Sequence, residues 1–70
     1  MFHLHDVVRL KEDNKEYGIP SSALGAIVDV LGGGMSYVVE FIDDEGNSYE
    51  DALSTEFSED ELESATEPKT

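Results

Sequence analysis

The residues best suited to chemistry in this sequence are two histidines near its beginning, His3 and His5. In an extended segment, side chains two residues apart point the same way, so both imidazoles could face one divalent metal ion. Asp6 adds a carboxylate next to them. A metal site needs still more ligands, which the sequence does not place nearby. The alternative is a pair of histidines that titrate freely on a terminal strand, and we expect that alternative and no metal site.

Two other segments partly imitate ligand-binding loops. Asp43, Glu45, Asn47 and Glu50 alternate as calcium ligands do, but an EF-hand loop has its glycine at the sixth position and is flanked by helices. Gly46 comes too early for that pattern. The glycine run 32–34 lacks the helix N-terminus that follows a phosphate-binding loop. We therefore expect no cofactor.

Catalytic motifs are also missing from the sequence. It contains no cysteine, and no serine stands in a G-x-S-x-G setting. Carboxylate pairs carry little information, because 17 of the 70 residues are acidic. The sequence therefore predicts a protein that is not an enzyme and has no catalytic residues.

The formal net charge of −13, with only four basic residues, limits the partners that the chain can bind. Contacts to nucleic acid and to anionic membranes need a basic face, so we expect neither. Such a charge favours encounters with basic proteins. The absence of cysteine, of a signal sequence and of a membrane-length apolar run predicts a cytoplasmic location.

The elements that would position these residues centre on a β-hairpin. Gly25–Leu31 and Ser36–Ile42 are short, apolar, β-branched runs joined by three glycines, which supply the positive φ of a tight turn. Asp6–Lys11 predicts an earlier strand with Val8 and Leu10 on one face. The polar run 12–24 is expected to form a long loop, pinned by Tyr17 and Ile19.

Turn signals divide the second half of the chain. Asp43–Asn47 predicts a turn, after which Ser48–Leu53 could return as a fourth strand. Ser58 and Glu61 have the spacing of a capping box, which predicts a single helical turn ending near Leu62. Phe57 and Leu62 would attach this turn to the rest of the fold. We expect one domain over residues 1–63 and a flexible acidic tail over residues 64–70.

Short antiparallel strands with turns between them predict a mainly β fold, a small SH3-like barrel of four to five strands. Three segments, DVVRL, EYGIPSSALGAIVDVL and YVVEFIDDEG, resemble those of short bacterial proteins of unknown function, grouped as domain-of-unknown-function family 4926. The resemblance covers roughly residues 5–62. It implies an SH3-like barrel and brings no established activity. Three glycines in the hairpin and the acidic end depart from the family pattern.

The hairpin has apolar residues on both faces. If Asp29 and Glu40 point to water, then Val28 and Val30 point inward with Tyr37. The other residues of the two strands that would then point outward are also apolar. Strands that are apolar on both faces are buried on both faces, and an uncovered second face is typical of an interface. The candidate interface residues, with two tyrosines as aromatic anchors, are Ile27, Leu31, Val38, Ile42, Tyr17 and Tyr37.

These features predict a non-catalytic interaction module that self-associates, most simply as a dimer, or docks on a protein partner. The alternative is an acidic antitoxin, immunity protein or DNA mimic that blocks a basic cleft on a toxin or nucleic-acid enzyme. Its contact surface would be the carboxylates outside the barrel strands, namely Asp43, Asp44, Glu45, Glu50, Asp51, Glu56, Glu59, Asp60, Glu61 and Glu63.

Overall fold

A computed structural model of the chain describes residues 1–65. These residues form one sheet of five antiparallel strands, in the order β4-β3-β2-β1-β5. The strands are β1 (Val7–Leu10), β2 (Leu24–Leu31), β3 (Ser36–Ile42), β4 (Phe57–Ser58) and β5 (Leu62–Ser64). Two short 3₁₀ helices, Glu50–Ser54 and Glu59–Glu61, complete the regular structure. The predicted mainly β fold and the central hairpin are confirmed.

The sheet is curled rather than flat, because its two edge strands follow each other in the chain. A flat sheet of five strands would hold its edges about 19 Å apart at the usual strand spacing. Ser58 at the end of β4 and Leu62 at the start of β5 are separated by only three residues, and that length of chain spans at most about 15 Å. The concave side therefore encloses the core.

The core is formed by the residues that alternate onto the concave side of the sheet. Val8 and Leu10, which were predicted to share one face of β1, are both buried. Phe57 and Leu62, beside the second 3₁₀ helix, are buried as well. Phe41 and Phe57 meet edge to face, with ring centroids 5.4 Å apart, an arrangement that aromatic pairs favour. Ile19 from the long loop is also fully buried, which confirms that this residue pins the loop.

A β-bulge corrects the predicted facing of β2. The pairing with β3 runs regularly as far as Ile27 opposite Val39, skips Val28 and resumes at Asp29 opposite Val38. The inserted residue reverses the alternation, because two residues of the bulged strand then oppose one on its partner. Ile27 is consequently fully buried and Val28 is 44% exposed. The predictions that Ile27 faces outward and Val28 inward are wrong.

The predicted fourth strand, Ser48–Leu53, is also wrong. Ser48 forms an isolated bridge with Ile42, and the chain then enters the 3₁₀ helix Glu50–Ser54. This helix places Ala52 in the core, fully buried. The strand that pairs with the outer edge of β3 is β4, where Phe57 lies opposite Tyr37.

The second 3₁₀ helix and β5 form the end of the described part of the chain. The Glu61 carboxylate accepts a hydrogen bond from the backbone N–H of Ser58 at 2.9 Å, as a capping box requires. Pairing of β5 with β1 continues to Ser64, opposite Val8, so the sheet extends one residue beyond the predicted domain boundary. Residues 66–70 of the predicted tail lie outside the described residues.

Candidate docking face

The convex side of the sheet presents two rows of side chains that cross neighbouring strands. Val7 of β1 lies opposite Ala26 of β2, which lies opposite Glu40 of β3. Leu24 lies opposite Ile42 in the next row. Three of these five side chains are large and apolar on the side of the sheet that faces away from the core. We call the surface formed by Val7, Leu24, Ala26, Glu40 and Ile42 the outer face.

The apolar side chains of the outer face are substantially exposed. Leu24 is 45% exposed, Ile42 41% and Val7 40%. Single exposed apolar side chains are ordinary, but these three are contiguous across three strands, and contiguous apolar surface is typical of interaction sites. Among the described residues, these three side chains line one open depression on the surface.

The centre of the outer face is concave. A shallow depression of about 280 Å³ is lined by the five outer-face residues together with Gly25. Ala26 provides a low floor between longer side chains. Glycine is needed at position 25 for the packing on the core side of the sheet. A Cβ at this position would lie 2.6 Å from Cγ1 of Val39 and 2.7 Å from Cδ1 of Phe41.

Glu40 is the charged group in this otherwise apolar lining. Its side chain is held in place by Ser48, whose hydroxyl donates to Glu40 Oε2 at 2.8 Å. Ser48 is itself positioned by its bridge to Ile42. Because Ser48 lies on the edge of β3 that faces away from β2, this bond draws the carboxylate away from the depression, whose lining is almost entirely apolar.

The predicted interface residues are not all on the surface. Ile27 and Tyr37 are fully buried, so neither can act as a surface anchor in this fold. Tyr17 is half-buried and packs against the core. Leu31 and Val38 are half-buried, while Ile42 belongs to the outer face. Of the six predicted interface residues, Ile42 is the one that belongs to the outer face.

Sequence reasoning missed Val7, Leu24 and Ala26. The predicted loop includes Leu24, although Leu24 is the first residue of β2. Alternation in β1 places Val7 on the face opposite Val8 and Leu10, but it does not connect Val7 to the hairpin. The pairing of β1 with β2, which brings these residues together, depends on strand order and register. The one available signal in the sequence was Val7 itself, an apolar residue on the face of β1 opposite Val8 and Leu10.

The candidate acidic residues divide into two groups of five. In the first group the carboxylates have partners within the chain: Asp43 accepts from the backbone N–H groups of Glu45 and Asn47, and Glu56 from the Ser36 hydroxyl. The other members of this group are Glu59, Glu61 and Glu63. The second group is exposed and consists of Asp44, Glu45, Glu50, Asp51 and Asp60. Half of the predicted acidic surface therefore has a structural role.

Glu59 joins three segments of the chain. Its carboxylate accepts hydrogen bonds from the N-terminal ammonium of Met1 at 3.1 Å and from the Tyr37 hydroxyl at 3.3 Å. The Tyr37 oxygen in turn accepts from the Phe2 backbone N–H at 3.0 Å. The hydrogen bond from the ammonium, aided by its charge, holds the pKa of Glu59 below its ordinary value of 4.5.

The two histidines do not lie on an extended strand. His5 has a φ of 74°, and the Asp6 N–H donates to the His3 carbonyl in a turn, so the premise that both imidazoles point the same way is wrong. His3 Nδ1 lies 3.8 Å from the Asp6 carboxylate. Among residues 1–65, no three histidine, aspartate or glutamate side chains gather in a way that could hold a metal ion.

These features describe a small all-β protein whose sheet has an apolar, partly concave outer surface. The chain belongs to the family described as Domain of unknown function (DUF4926), which matches residues 4–64. No curated protein and no solved structure matches the chain. None of the helices formed by residues 1–65 has the length and apolar character needed to cross a membrane.

Proposed function

We propose that this protein is a non-catalytic interaction module with an SH3-like barrel fold. The strand order supports the barrel assignment: the sheet runs β4-β3-β2-β1-β5, and a single 3₁₀ turn joins its two edges. Such small barrels usually act as scaffolds for surface sites, so the function must be argued from the surface itself.

The observation that carries the proposal is the outer face. Val7, Leu24 and Ile42 expose apolar surface where an antiparallel sheet with one solvated side would carry polar residues. Burying these side chains against another protein would remove that surface from water, at about 25 cal/mol per Å² of apolar area. The function is therefore to bind a protein through this surface, either a second copy of the chain or a different partner.

The net charge of −13 supports the second candidate function, an acidic inhibitor that fills a basic cleft. The five exposed carboxylates are available for that role, because they have no structural contacts to lose. Changing Asp44 and Asp60 to Asn would slow association with a basic cleft while leaving the fold intact. The same changes would have little effect on a complex centred on the outer face.

The test compares two aspartate substitutions at apolar side chains of similar exposure. Ile42, on the outer face, is 41% exposed, and Leu53, on the first 3₁₀ helix, is 38% exposed. Each variant is tagged, produced in the cells that naturally express the protein and isolated with its bound proteins. We expect a stoichiometric complex with the wild type and with Leu53→Asp, and at least a tenfold loss with Ile42→Asp, since a buried unpaired charge is strongly unfavourable.

Circular dichroism confirms that each variant is folded, and Ile42→Thr provides a milder substitution that keeps the β-branched side chain. A complex that survives Ile42→Asp unchanged, or that is lost equally with Leu53→Asp, would contradict the proposed role of the outer face.

A further inference from the structure

We propose that the outer face binds the outer face of a second copy of the chain, so that the protein forms a twofold dimer. This inference rests on the proposed function, since it assumes that the outer face binds a protein. It goes further by naming that protein. Three observations support it: the shape of the outer face, the area of its apolar surface and the position of the exposed charges.

The outer face carries a projecting side chain beside a depression. On β2, Leu24 stands at the rim of the depression, and Ala26, two residues further along on the same side, forms its floor. A twofold axis that lies in the contact plane and crosses β2 between these residues places Leu24 of each copy over Ala26 of the other. The same contact then forms twice, as a twofold interface requires. The almost entirely apolar lining suits the leucine side chain that would enter it.

Glu40 does not interrupt this contact. The same axis brings Ile42 of each copy opposite Glu40 of the other, because these residues lie in the same two rows as Leu24 and Ala26. The Glu40 carboxylate is bonded to the Ser48 hydroxyl at 2.8 Å, on the edge of β3 that faces away from β2. Its methylene groups therefore remain to pack against Ile42, while its charge lies at the rim, where interfaces are polar and hydrated.

The apolar surface is large enough to form the centre of a dimer contact. A specific interface buries at least about 600 Å² on each partner, roughly one-eighth of the 4756 Å² that the chain exposes to solvent. Val28 extends the outer face, because it follows the inward-pointing Ile27 and is itself exposed. With Val7, Leu24 and Ile42, it supplies roughly half of that area, close to the apolar share of ordinary interfaces.

The exposed charges lie outside this contact. The five exposed carboxylates occur in the turn after β3 and in the two 3₁₀ helices, and none of them belongs to the outer face. They act on a second copy through solvent, where salt at about 0.15 M screens charges that are more than about 8 Å apart. The repulsion between two chains of net charge −13 therefore weakens a dimer without blocking its contact surface.

Sedimentation equilibrium of the purified 70-residue protein at two salt concentrations tests the dimer. We expect a monomer–dimer equilibrium with a dissociation constant on the order of 10–100 µM at about 0.15 M sodium chloride, as for a small interface. At about 0.5 M the dissociation constant should fall at least about threefold, because salt screens the repulsion between two acidic chains. A complex held together by opposite charges would respond in the other direction.

A matched pair of variants locates the contact. Leu24→Asp, on the outer face, and Leu53→Asp, on the first 3₁₀ helix, replace leucines of similar exposure. Leu24→Asp should weaken the dimer at least about tenfold, since it buries an unpaired charge, and Leu53→Asp should leave it unchanged. Circular dichroism checks the fold of both variants, and Leu24→Thr is used if aspartate at this position unfolds the protein.

A third variant, Ala26→Leu, separates an interlocking contact from general apolar attraction. The added side chain enlarges the apolar surface, but it fills the floor on which Leu24 of the other copy would rest. We therefore expect an about tenfold weaker dimer, whereas general apolar attraction would give a tighter one. In a mixture of isotopically labelled and unlabelled wild-type protein, an intermolecular nuclear Overhauser effect between the methyl groups of Leu24 and Ala26 observes the contact directly.

A protein that stays monomeric up to about 1 mM at high salt would overturn the dimer, and so would an association that weakens as salt rises. A dimer unchanged by Leu24→Asp, or tightened by Ala26→Leu, would also overturn it. Each of these results leaves the proposed function standing if the complex isolated from cells contains a different protein that is lost with Ile42→Asp and kept with Leu53→Asp. Equal behaviour of those two variants would contradict the proposed function itself.

Discussion

Glu40 and Glu59 show how the same residue type takes different roles according to its neighbours. Glu40 lies among apolar side chains on the outer face and is held by a serine hydroxyl. Glu59 lies at the second 3₁₀ helix and accepts from the N-terminal ammonium and from a tyrosine hydroxyl. Both are carboxylates in a chain that has 17 acidic residues, so composition alone could not separate them.

The lowered pKa of Glu59 gives a prediction for pH dependence. A carboxyl group whose folded-state pKa is below its unfolded value stabilises the fold at pH values above the unfolded pKa. That contribution is lost as the pH falls through the lowered folded-state pKa. We expect a carbon-13 NMR titration of Glu59 in the 70-residue chain to give a midpoint below 4.5.

Acetylation of the N-terminus provides the control for this titration. It removes the ammonium group, whose hydrogen bond is the main cause of the lowered pKa of Glu59 and whose charge adds to it, so the midpoint should rise toward its ordinary value. A midpoint that does not respond to acetylation would contradict the assigned hydrogen bond between Met1 and Glu59.

At the scale of the elements, local sequence signals located the hairpin and the strand β1, because alternating apolar residues and the glycine turn are local features. The capping box at Ser58 and Glu61 was found for the same reason. The 3₁₀ helix Glu50–Ser54 was missed, since its few residues carry no helical period and Ala52 fits a strand or a turn equally well. In the structure, Ala52 packs into the core from the 3₁₀ helix.

The bulge at Val28 could not be predicted, because an inserted residue leaves no mark in a run of apolar side chains. Asp29 fixed the alternation correctly for the part of β2 after the bulge, where Val30 packs against the core. Extending the same alternation backwards placed Ile27 and Val28 on the wrong faces. The outer face was therefore only partly predictable: Ile42 follows from alternation in β3, whereas Leu24 and Val7 depend on register.

The bulge predicts an asymmetry between two neighbouring positions. Ile27 is fully buried and Val28 is 44% exposed. Ile27→Ala should lower the free energy of unfolding by about 2–5 kcal/mol, because it removes buried methyl groups and leaves a cavity. Val28→Ala should lower it by less than about 1 kcal/mol. Urea unfolding followed by fluorescence of the tyrosines measures both changes.

Ile27→Ala could unfold so small a domain, whose total stability is on the order of 5 kcal/mol. In that case Ile27→Val is used instead of Ile27→Ala, and it should lower the free energy of unfolding by about 0.5–1.5 kcal/mol. Equal losses at the two positions, or a larger loss at Val28, would show that β2 alternates without a bulge.

At the scale of the whole molecule, charge and apolar surface act in different ways. A net charge of −13 opposes the association of two copies of the chain and favours encounters with basic proteins. The apolar outer face supplies the packed contact that charge alone rarely provides. Under the proposed function, the apolar outer face would hold the partner, and the charge would speed the encounter if that partner is a basic protein.

The most direct test of the outer face is a photo-activated cross-linker placed at Leu24, with Leu53 as the matched control position. Both are leucines with similar exposure, 45% and 38%, on different surfaces of the protein. Irradiation in the cells that naturally express the protein, followed by mass spectrometry, identifies the atoms in contact with each position. We predict a discrete protein adduct at Leu24 and none at Leu53. Adducts that are absent at Leu24, or equally abundant at both positions, would contradict the assignment of the outer face as the docking surface.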